Sequence, residues 1–337
     1  MGGSNSGEMR LLRLFRTALI CSIVWLQTLP SHAQLQQLSA QPQGTIRVSV
    51  NRVNVGVIVT DAGGHFIEGL RREDFHVFDN SIEQPITDFL PIEEPAQLVL
   101  LMECGPAAYF VRKSQLQAAD TILTSLSPAD RVAISSYSRS PELLLDFTPD
   151  KTEARLALRG VNFTAGFSEL NLSSSVATTL DWLAPLQGKK TILLLSTGVD
   201  TSSPENWKAI QQKLKTSDVR LLAVSVSSDF RKPAKGKRLS SDDRANRTFV
   251  KQVFTQADQS LRELSEATGG RVYFPKNARE FDRAYAEIAQ LVRHEYSLAF
   301  APSSRDGGFH SIEVKVKHSS YRVDHRQAYL APPPEPQ

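Results

Sequence analysis

"LVLLMECGPAAYF" (Leu98–Phe110) decides the fold. Leu98 to Met102 are five apolar residues in a row, the pattern of a strand buried on both faces. Gly105 and Pro106 follow, and Pro is favoured in the first turn of a helix. The stretch therefore reads as a strand, a tight turn and a helix. Glu103 sits at the turn, and the carboxyl end of a strand in an α/β sheet is where such folds build ligand or ion sites. Its neighbours Cys104, Gly105 and Ala107 offer no hard side-chain oxygen.

Moving outward, the same unit repeats from Pro95 to Arg293. "DRVAISSYS" and "ELLLDF" read as strands, the second antiparallel. "KTILLLST", "RLLAVSV" and "RVYF" are further apolar strands. Between them lie helical stretches, "VRKSQLQAADTILTSL", "SSSVATTLDWLAPL", "PENWKAIQQKLKTS", "SLRELSEAT" and "EFDRAYAEIAQLVR". Apolar strands separated by helices predict a mostly parallel sheet covered on both faces. Residues 229–257 interrupt this order with eight basic and three acidic side chains, and read as a solvated basic loop.

Residues 45–92 and 294–330 read differently. "TIRVSVNRVNVGVIVTD" alternates polar residues with Val and Ile, the mark of a half-buried strand. "FIEGL", "FHVFDN" and "EQPITDF" are short strand-like pieces, and so are "EYSLAFAP", "HSIEVKVKH" and "YRVDHRQAYL". Neither zone is long enough to bury two faces alone. They are expected to pack together as one β-sandwich-like module flanking the α/β domain of residues 95–293. The Pro-rich residues 331–337 read as a disordered tail.

The first 33 residues carry a targeting pattern. Arg10, Arg13 and Arg16 precede the apolar "TALICSIVWLQTL", and "SHA" offers a cleavage site near Ala33. The expected destination is outside the cytoplasm, periplasmic or secreted. Cleavage removes Cys21 and leaves Cys104 alone, so no intrachain disulfide is expected.

Charge is nearly balanced, 39 basic against 36 acidic residues, which gives no global case for nucleic acid. Catalytic patterns are missing. There is no His-Glu-x-x-His, no Gly-x-Ser-x-Gly elbow, no phosphate loop and no Gly-x-Gly-x-x-Gly after a strand. No small-molecule substrate is evident. His65, His76, His294, His310, His318 and His325 read as surface or rim residues. Trp182 reads as core and Trp207 as half exposed.

The order of pieces resembles a known family. "VGVIVTDAGGHFIEGLRREDFHVFDNSIEQPITDF" resembles the opening module of exported bacterial von Willebrand factor type A-related proteins, abundant in acidobacteria. "LVLLMECG", "KTILLLSTGVD" and "RLLAVSV" look like core strands of a type A domain, and "EATGGRVYFP" and "HEYSLAFAPSSRDGGFHSIEVKV" look like the usual ending. The resemblance implies a Rossmann-like α/β domain that binds proteins. It also implies a divalent-ion site built from Asp-x-Ser-x-Ser, a Thr and an Asp on three loops.

Carried across, that site is degenerate. Glu103 falls on the first Asp, while Gly105 and Ala107 fall on the two Ser positions. Ser168 falls on or near the Thr, and Thr197 falls on the last Asp, with Asp200 further along its loop. Mg²⁺ demands several hard oxygens in octahedral array, and this set supplies few. The expectation is a non-catalytic, metal-independent protein-binding module with no cofactor. Its face would comprise Glu103, Tyr109, Phe167, Ser168, Glu169, Thr197 and Asp200. Two alternatives stand beside it: a Mg²⁺ site rebuilt from Glu103, Glu169 and Asp200, and a thiol-dependent enzyme or redox protein using Cys104.

Overall fold

A computed structural model describes residues 52–91, 95–165, 169–228 and 241–334. The targeting segment, Phe167, Ser168 and residues 229–240 lie outside the described residues.

The apolar run at Leu98 forms β5 (Ala96–Glu103), an interior strand of a six-stranded sheet. Its neighbours are β6 (Arg131–Tyr137) and β8 (Lys189–Ser196), both parallel to it. Beyond β6 lies β7 (Pro141–Thr148), antiparallel as its sequence suggests. Beyond β8 lie β9 (Arg220–Ser225) and the two-residue β10 (Val272–Tyr273), both parallel. Counted within this sheet alone, the strand order is 3-2-1-4-5-6, that of doubly wound α/β folds.

The uninterrupted apolarity of β5 has a direct cause. Leu98, Leu100 and Met102 join one core with Ile122 and Leu123 of α1 (Pro106–Ser125) and Ile288 and Leu291 of α6 (Ala278–Arg293). Val99 and Leu101 face the other way. They join Val176 and Leu180 of α3 (Leu172–Leu183), Ile210 and Leu214 of α4 (Pro204–Thr216), and Leu261 and Leu264 of α5 (Ser241–Glu266). Each fully buried Leu or Val contributes roughly 1.5–3 kcal/mol. The short α2 (Lys151–Arg159) is capped by Asp150, whose carboxylate accepts the amides of Thr152 and Glu153.

Residues 241–257, read as loop, belong to α5, which runs without a break to Glu266. Phe254, Ala257, Leu261 and Leu264 recur at helical spacing and are buried, so packing fixes the helix despite its charged start.

The strands on either side of the α/β unit pair with each other. β1 (Val53–Thr60) lies between β11 (Glu295–Phe300) and β13 (Arg322–His325), with β4 (Ile86–Leu90) on the far side of β11. A second sheet orders β14 (Ala328–Leu330), β12 (Phe309–Val316), β2 (Phe75–Asp79) and β3 (Ile82–Gln84). Val55, Val57, Phe75, Val77, Leu298, Phe300, Ile312 and Val314 form the core between them. "FIEGL" is not a strand: Phe66 makes a single bridge to Thr60. Ala331, read as the start of a disordered tail, is buried and its amide bonds the Gly308 carbonyl at 2.8 Å. His310 and His325, read as surface residues, are buried.

Ion pairs join this module to the amino-terminal edge of the large sheet. Arg220, at the start of β9, pairs with Glu295 at the start of β11, and both are buried. Arg326 is buried and donates to the carbonyls of Ser217 at 2.7 Å and Asn54 at 2.5 Å. Arg271 bridges Glu287 of α6 and Asp324 of β13. These contacts span strands distant in sequence and leave the opposite, carboxyl end of the sheet to the connecting loops.

Candidate functional site

β5 and β8 are neighbours whose outgoing helices cover opposite faces, so their carboxyl ends flank the topological switch point of the sheet. Glu103 ends β5 there and is fully buried. Its Oε2 accepts the Thr197 amide at 2.7 Å, the Thr197 hydroxyl at 2.8 Å and the Ser196 hydroxyl at 2.9 Å. Oε1 shares the Thr197 hydroxyl at 3.0 Å. The Tyr137 hydroxyl, at the end of β6, donates to Ser196 Oγ at 2.7 Å, and the Gly198 amide reaches the same oxygen at 2.8 Å.

Thr197 and Ser196 thus donate to the carboxyl, with a longer contact from Tyr137 at 3.4 Å, while Tyr137 and Gly198 donate in turn to Ser196. Burial pushes the Glu103 carboxyl up from its ordinary value, and hydrogen bonds from Thr197, Ser196 and Tyr137 offset only part of that. Burial, with the Glu103 carboxylate second, raises the Tyr137 phenol well above its usual range. The cluster is an internally satisfied acid, hydrogen-bonded at both oxygens.

The loops above it are closed. A Cβ on Gly105 would lie 2.3 Å from Leu170 Cδ2, so Leu170 fills the space over the β5–α1 turn. Gly198 holds φ +81°, and a Cβ there would meet the Ala257 carbonyl oxygen at 2.4 Å. Thr201 clasps Leu170: its amide and hydroxyl donate to the Leu170 carbonyl at 2.7 and 3.0 Å, and its Oγ1 accepts the Leu170 amide at 2.9 Å. The Thr164 amide bonds the Cys104 carbonyl at 2.9 Å, and the Asn171 amide bonds the Ser138 carbonyl at 2.9 Å.

The expected site residues are therefore dispersed. Glu103 and Thr197 meet, but both are buried and neither belongs to a surface face. Asp200 is turned to another task. Its Oδ2 accepts the Ser173 amide in the first turn of α3 and its Oδ1 the Ser202 amide, both at 2.9 Å. Asn171, the N-cap of that helix, makes no side-chain cap bond, so Asp200 supplies the missing acceptor from the next loop. Glu169 is exposed and pairs with Arg139 at 3.2 Å. No group of three or more His, Cys, Asp or Glu side chains that could hold a metal ion occurs among the described residues. Cys104 Sγ donates to the Tyr137 carbonyl at 3.2 Å. Burial, aided by the Glu103 charge and opposed by a Ser136 hydrogen bond, raises its thiol pKa.

Tyr109 and Phe110 stand at the start of α1 on the rim of this end. Phe110 is 76% exposed, and the Tyr109 ring meets it edge-on with centroids 5.8 Å apart. The Arg112 guanidinium lies 4.1 Å from the Tyr109 ring centre. Between α4 and α5 runs a groove of about 650 Å³, lined among others by Gly198, Asp200, Trp207, Lys208, Gln256 and Glu263. Trp207 is half-buried, and its Nε1 donates to Glu263 at 3.1 Å. Ser196, Tyr137 and Leu170, which complete the buried cluster and its cover, carry no motif in the sequence. Ser196 and Tyr137 are legible only as last residues of their strands.

No protein-family model and no curated protein matches the chain. Among solved structures, von Willebrand factor type A from Catenulispora acidiphila aligns at 9% identity and TM-score 0.45, over 85% of this chain and 75% of that one. Conserved hypothetical protein BatB from Bacteroides thetaiotaomicron aligns at 11% identity and TM-score 0.42, over 59% of this chain and 99% of that one. An aerotolerance-related membrane protein from Bacteroides fragilis gives 11% identity and TM-score 0.43, over 58% and 98%. At these identities and TM-scores the likenesses say nothing about activity. The chain carries a 3-2-1-4-5-6 α/β sheet on a two-sheet β module, and the solved structures it is similar to include von Willebrand factor type A domains.

Proposed function

We propose that this chain is a non-catalytic module that binds a protein partner, without a metal ion, through the loops at the carboxyl end of its six-stranded sheet. The observation that carries the metal-independent part is the hydrogen-bond polarity around Glu103. Thr197 and Ser196 donate to its carboxyl, and Ser196 Oγ already accepts the Tyr137 hydroxyl and the Gly198 amide, so these groups are engaged with one another and not with a cation position. To hold Mg²⁺, Glu103 would have to give up these donors and the Leu170 cover would have to open. A reactive-thiol reading is disfavoured, because Cys104 is buried, already donates a hydrogen bond and has a raised pKa.

The binding face differs from the one expected from sequence. With Glu103 and Thr197 interior, the face is the rim of half-buried Tyr109 and exposed Phe110 and Arg112, together with Glu169 and the Asp200 loop. Aromatic and Arg side chains are the usual anchors of protein interfaces. Export is part of the proposal. It rests on the basic-then-apolar pattern before Ala33, and no described helix is long and apolar enough to cross a membrane.

Immobilised full-length protein, incubated with envelope and culture fractions with and without EDTA, tests this reading. The expected result is a specific partner retained in EDTA and lost on Phe110→Ser, with the melting temperature unchanged. A partner released by EDTA, or one indifferent to Phe110→Ser, contradicts it.

A further inference from the structure

Two buried histidines in the β module face opposite chemical surroundings. His325 Nδ1 lies 2.7 Å from the Arg326 carbonyl, and its Nε2 lies 3.2 Å from the Val314 amide nitrogen. One ring nitrogen must donate and the other accept, which fixes a neutral imidazole. His310 is 3% exposed and has carboxylates at both nitrogens. Nδ1 lies 2.8 Å from Asp79 Oδ1, and Nε2 lies 3.1 Å from Asp306 Oδ2 and 3.2 Å from Asp306 Oδ1. A neutral ring has one N–H, so one carboxylate would face a lone pair. Only the imidazolium satisfies both.

The bridge ties four pieces of chain. Asp79 is on β2 and buried, and its Oδ2 also accepts the Tyr329 hydroxyl of β14 at 2.7 Å and the Ser303 amide at 2.8 Å. His310 is on β12 opposite Tyr329. Asp306 is in the exposed β11–β12 turn and is held by the Gly308 amide at 2.7 Å and the Ser304 hydroxyl at 2.9 Å. That turn grips the end of the chain: Gly307 N donates to the Pro332 carbonyl at 3.2 Å, and Ala331 N to the Gly308 carbonyl.

Ser304, His310 and Asp79 stand in the order nucleophile, base, orienting acid, with Ser304 Oγ 3.3 Å from Nε2. With the imidazolium present, Asp306 takes the hydrogens of both Ser304 and Nε2, so no free imidazole nitrogen faces the hydroxyl.

We propose that the Asp79–His310–Asp306 bridge is a pH-operated lock on the C-terminal strand β14, closed in mild acid and opened as the pH rises. When the imidazolium loses a proton, the remaining N–H stays with Asp79, which is buried and has the greater need of it. The Nε2 lone pair then opposes the Asp306 carboxylate. The turn is repelled, and its hold on residues 331 and 332 weakens.

The titration directions agree. Burial pulls His310 down, but hydrogen bonds and charge from Asp306 and Asp79 leave it above its ordinary value. The Gly308 amide, His310 and Ser304 hold Asp306 down at about 2. Burial pushes Asp79 up, yet bonds from Ser303, Tyr329 and His310 leave it lowered. Stability from His310 is therefore present below its unfolded pKa and lost as pH rises through the folded one. The carboxylates lose theirs only in stronger acid. Other charged groups on the surrounding elements are Arg305 in the turn, Arg326 before β14 and Lys215 of α4, whose Nζ is 5.9 Å from the Phe309 ring. His325, lowered chiefly by burial, works in the opposite sense, so the comparison must be between wild type and variants.

Amide hydrogen exchange over residues 326–332 of the full chain at pH 5.5 and 8.5, corrected for intrinsic rates, tests the lock. Wild type is expected to lose protection at pH 8.5. Asp306→Asn, an exposed and conservative change, is expected to abolish that pH-dependent loss, because an amide does not repel the neutral ring. Equal wild-type protection at both pH values overturns the proposal, as does an undiminished loss in Asp306→Asn. A nitrogen NMR spectrum at pH 5.5 is expected to show both His310 nitrogens protonated, and an unprotonated Nε2 there also overturns it.

Discussion

Replacing Glu103 with Ala exposes the logic of the buried site. The carboxyl accepts the Thr197 amide, the Thr197 hydroxyl and the Ser196 hydroxyl, all within a volume closed to water. Removing it strands these donors. Ser196 Oγ keeps its incoming bonds from Tyr137 and Gly198, but its own hydrogen loses its acceptor. A buried unsatisfied donor costs roughly 1–3 kcal/mol, and Thr197 leaves two. The vacated space adds a cavity cost, while relief from burying an acid subtracts from the total. The net expectation is a loss of about 3–5 kcal/mol, or about 6–20 °C in Tm for a domain of this size. Glu103→Gln keeps the shape and an acceptor oxygen, and the hydroxyls can turn to accept from its amide, so it should cost about 1 kcal/mol or less. Its pH profile also differs. Glu103 is raised, so its stabilising share is present in acid and lost as pH rises through the folded value, and Gln lacks that slope. Urea and thermal unfolding at pH 5 and pH 8 measure all of this. A Glu103→Ala protein as stable as wild type would refute the reasoning. So would one stabilised by the change, as expected of an acid strained by a missing cation.

Further consequences concern the interface, the helix and the thiol. Arg220→Ala leaves Glu295 buried without its partner and should cost about 3–5 kcal/mol, read as a fall in urea midpoint. Asp200→Ala removes the acceptor for the α3 amino terminus and should cost about 1 kcal/mol, whereas a metal-ligand role would predict gain of apo stability. Cys104 should resist alkylation in the folded protein at pH 7 and react only on unfolding; rapid labelling would return the thiol reading to contention.

The large sheet was legible because its strands are buried on both faces. Leu98 to Met102 alternate between two cores, and no polar residue interrupts them. The antiparallel β7 and the pairing of the flanking strands follow from the same apolar patterns. The start of α5 was not legible. Its first turns are polar and follow directly on a basic run, while the stripe of Phe254, Ala257, Leu261 and Leu264 shows only against the rest of the core. The site was legible in its vacancies and not in its wiring. Sequence showed that Gly105 and Ala107 lack oxygen, but not that Leu170 fills the space or that Asp200 caps α3. A hydroxyl's direction, as donor or acceptor, depends on partners that sequence does not align. The same holds for His310, whose Asp79 partner is brought from 231 residues away by the pairing of β2 with β12.

The most direct test of a metal-independent face is calorimetric titration of the folded chain with Mg²⁺ and then Mn²⁺, each against an EDTA-treated sample. No saturable heat and no rise in Tm are expected at millimolar ion. A saturable isotherm that raises Tm, and that disappears in Glu103→Gln, would contradict it.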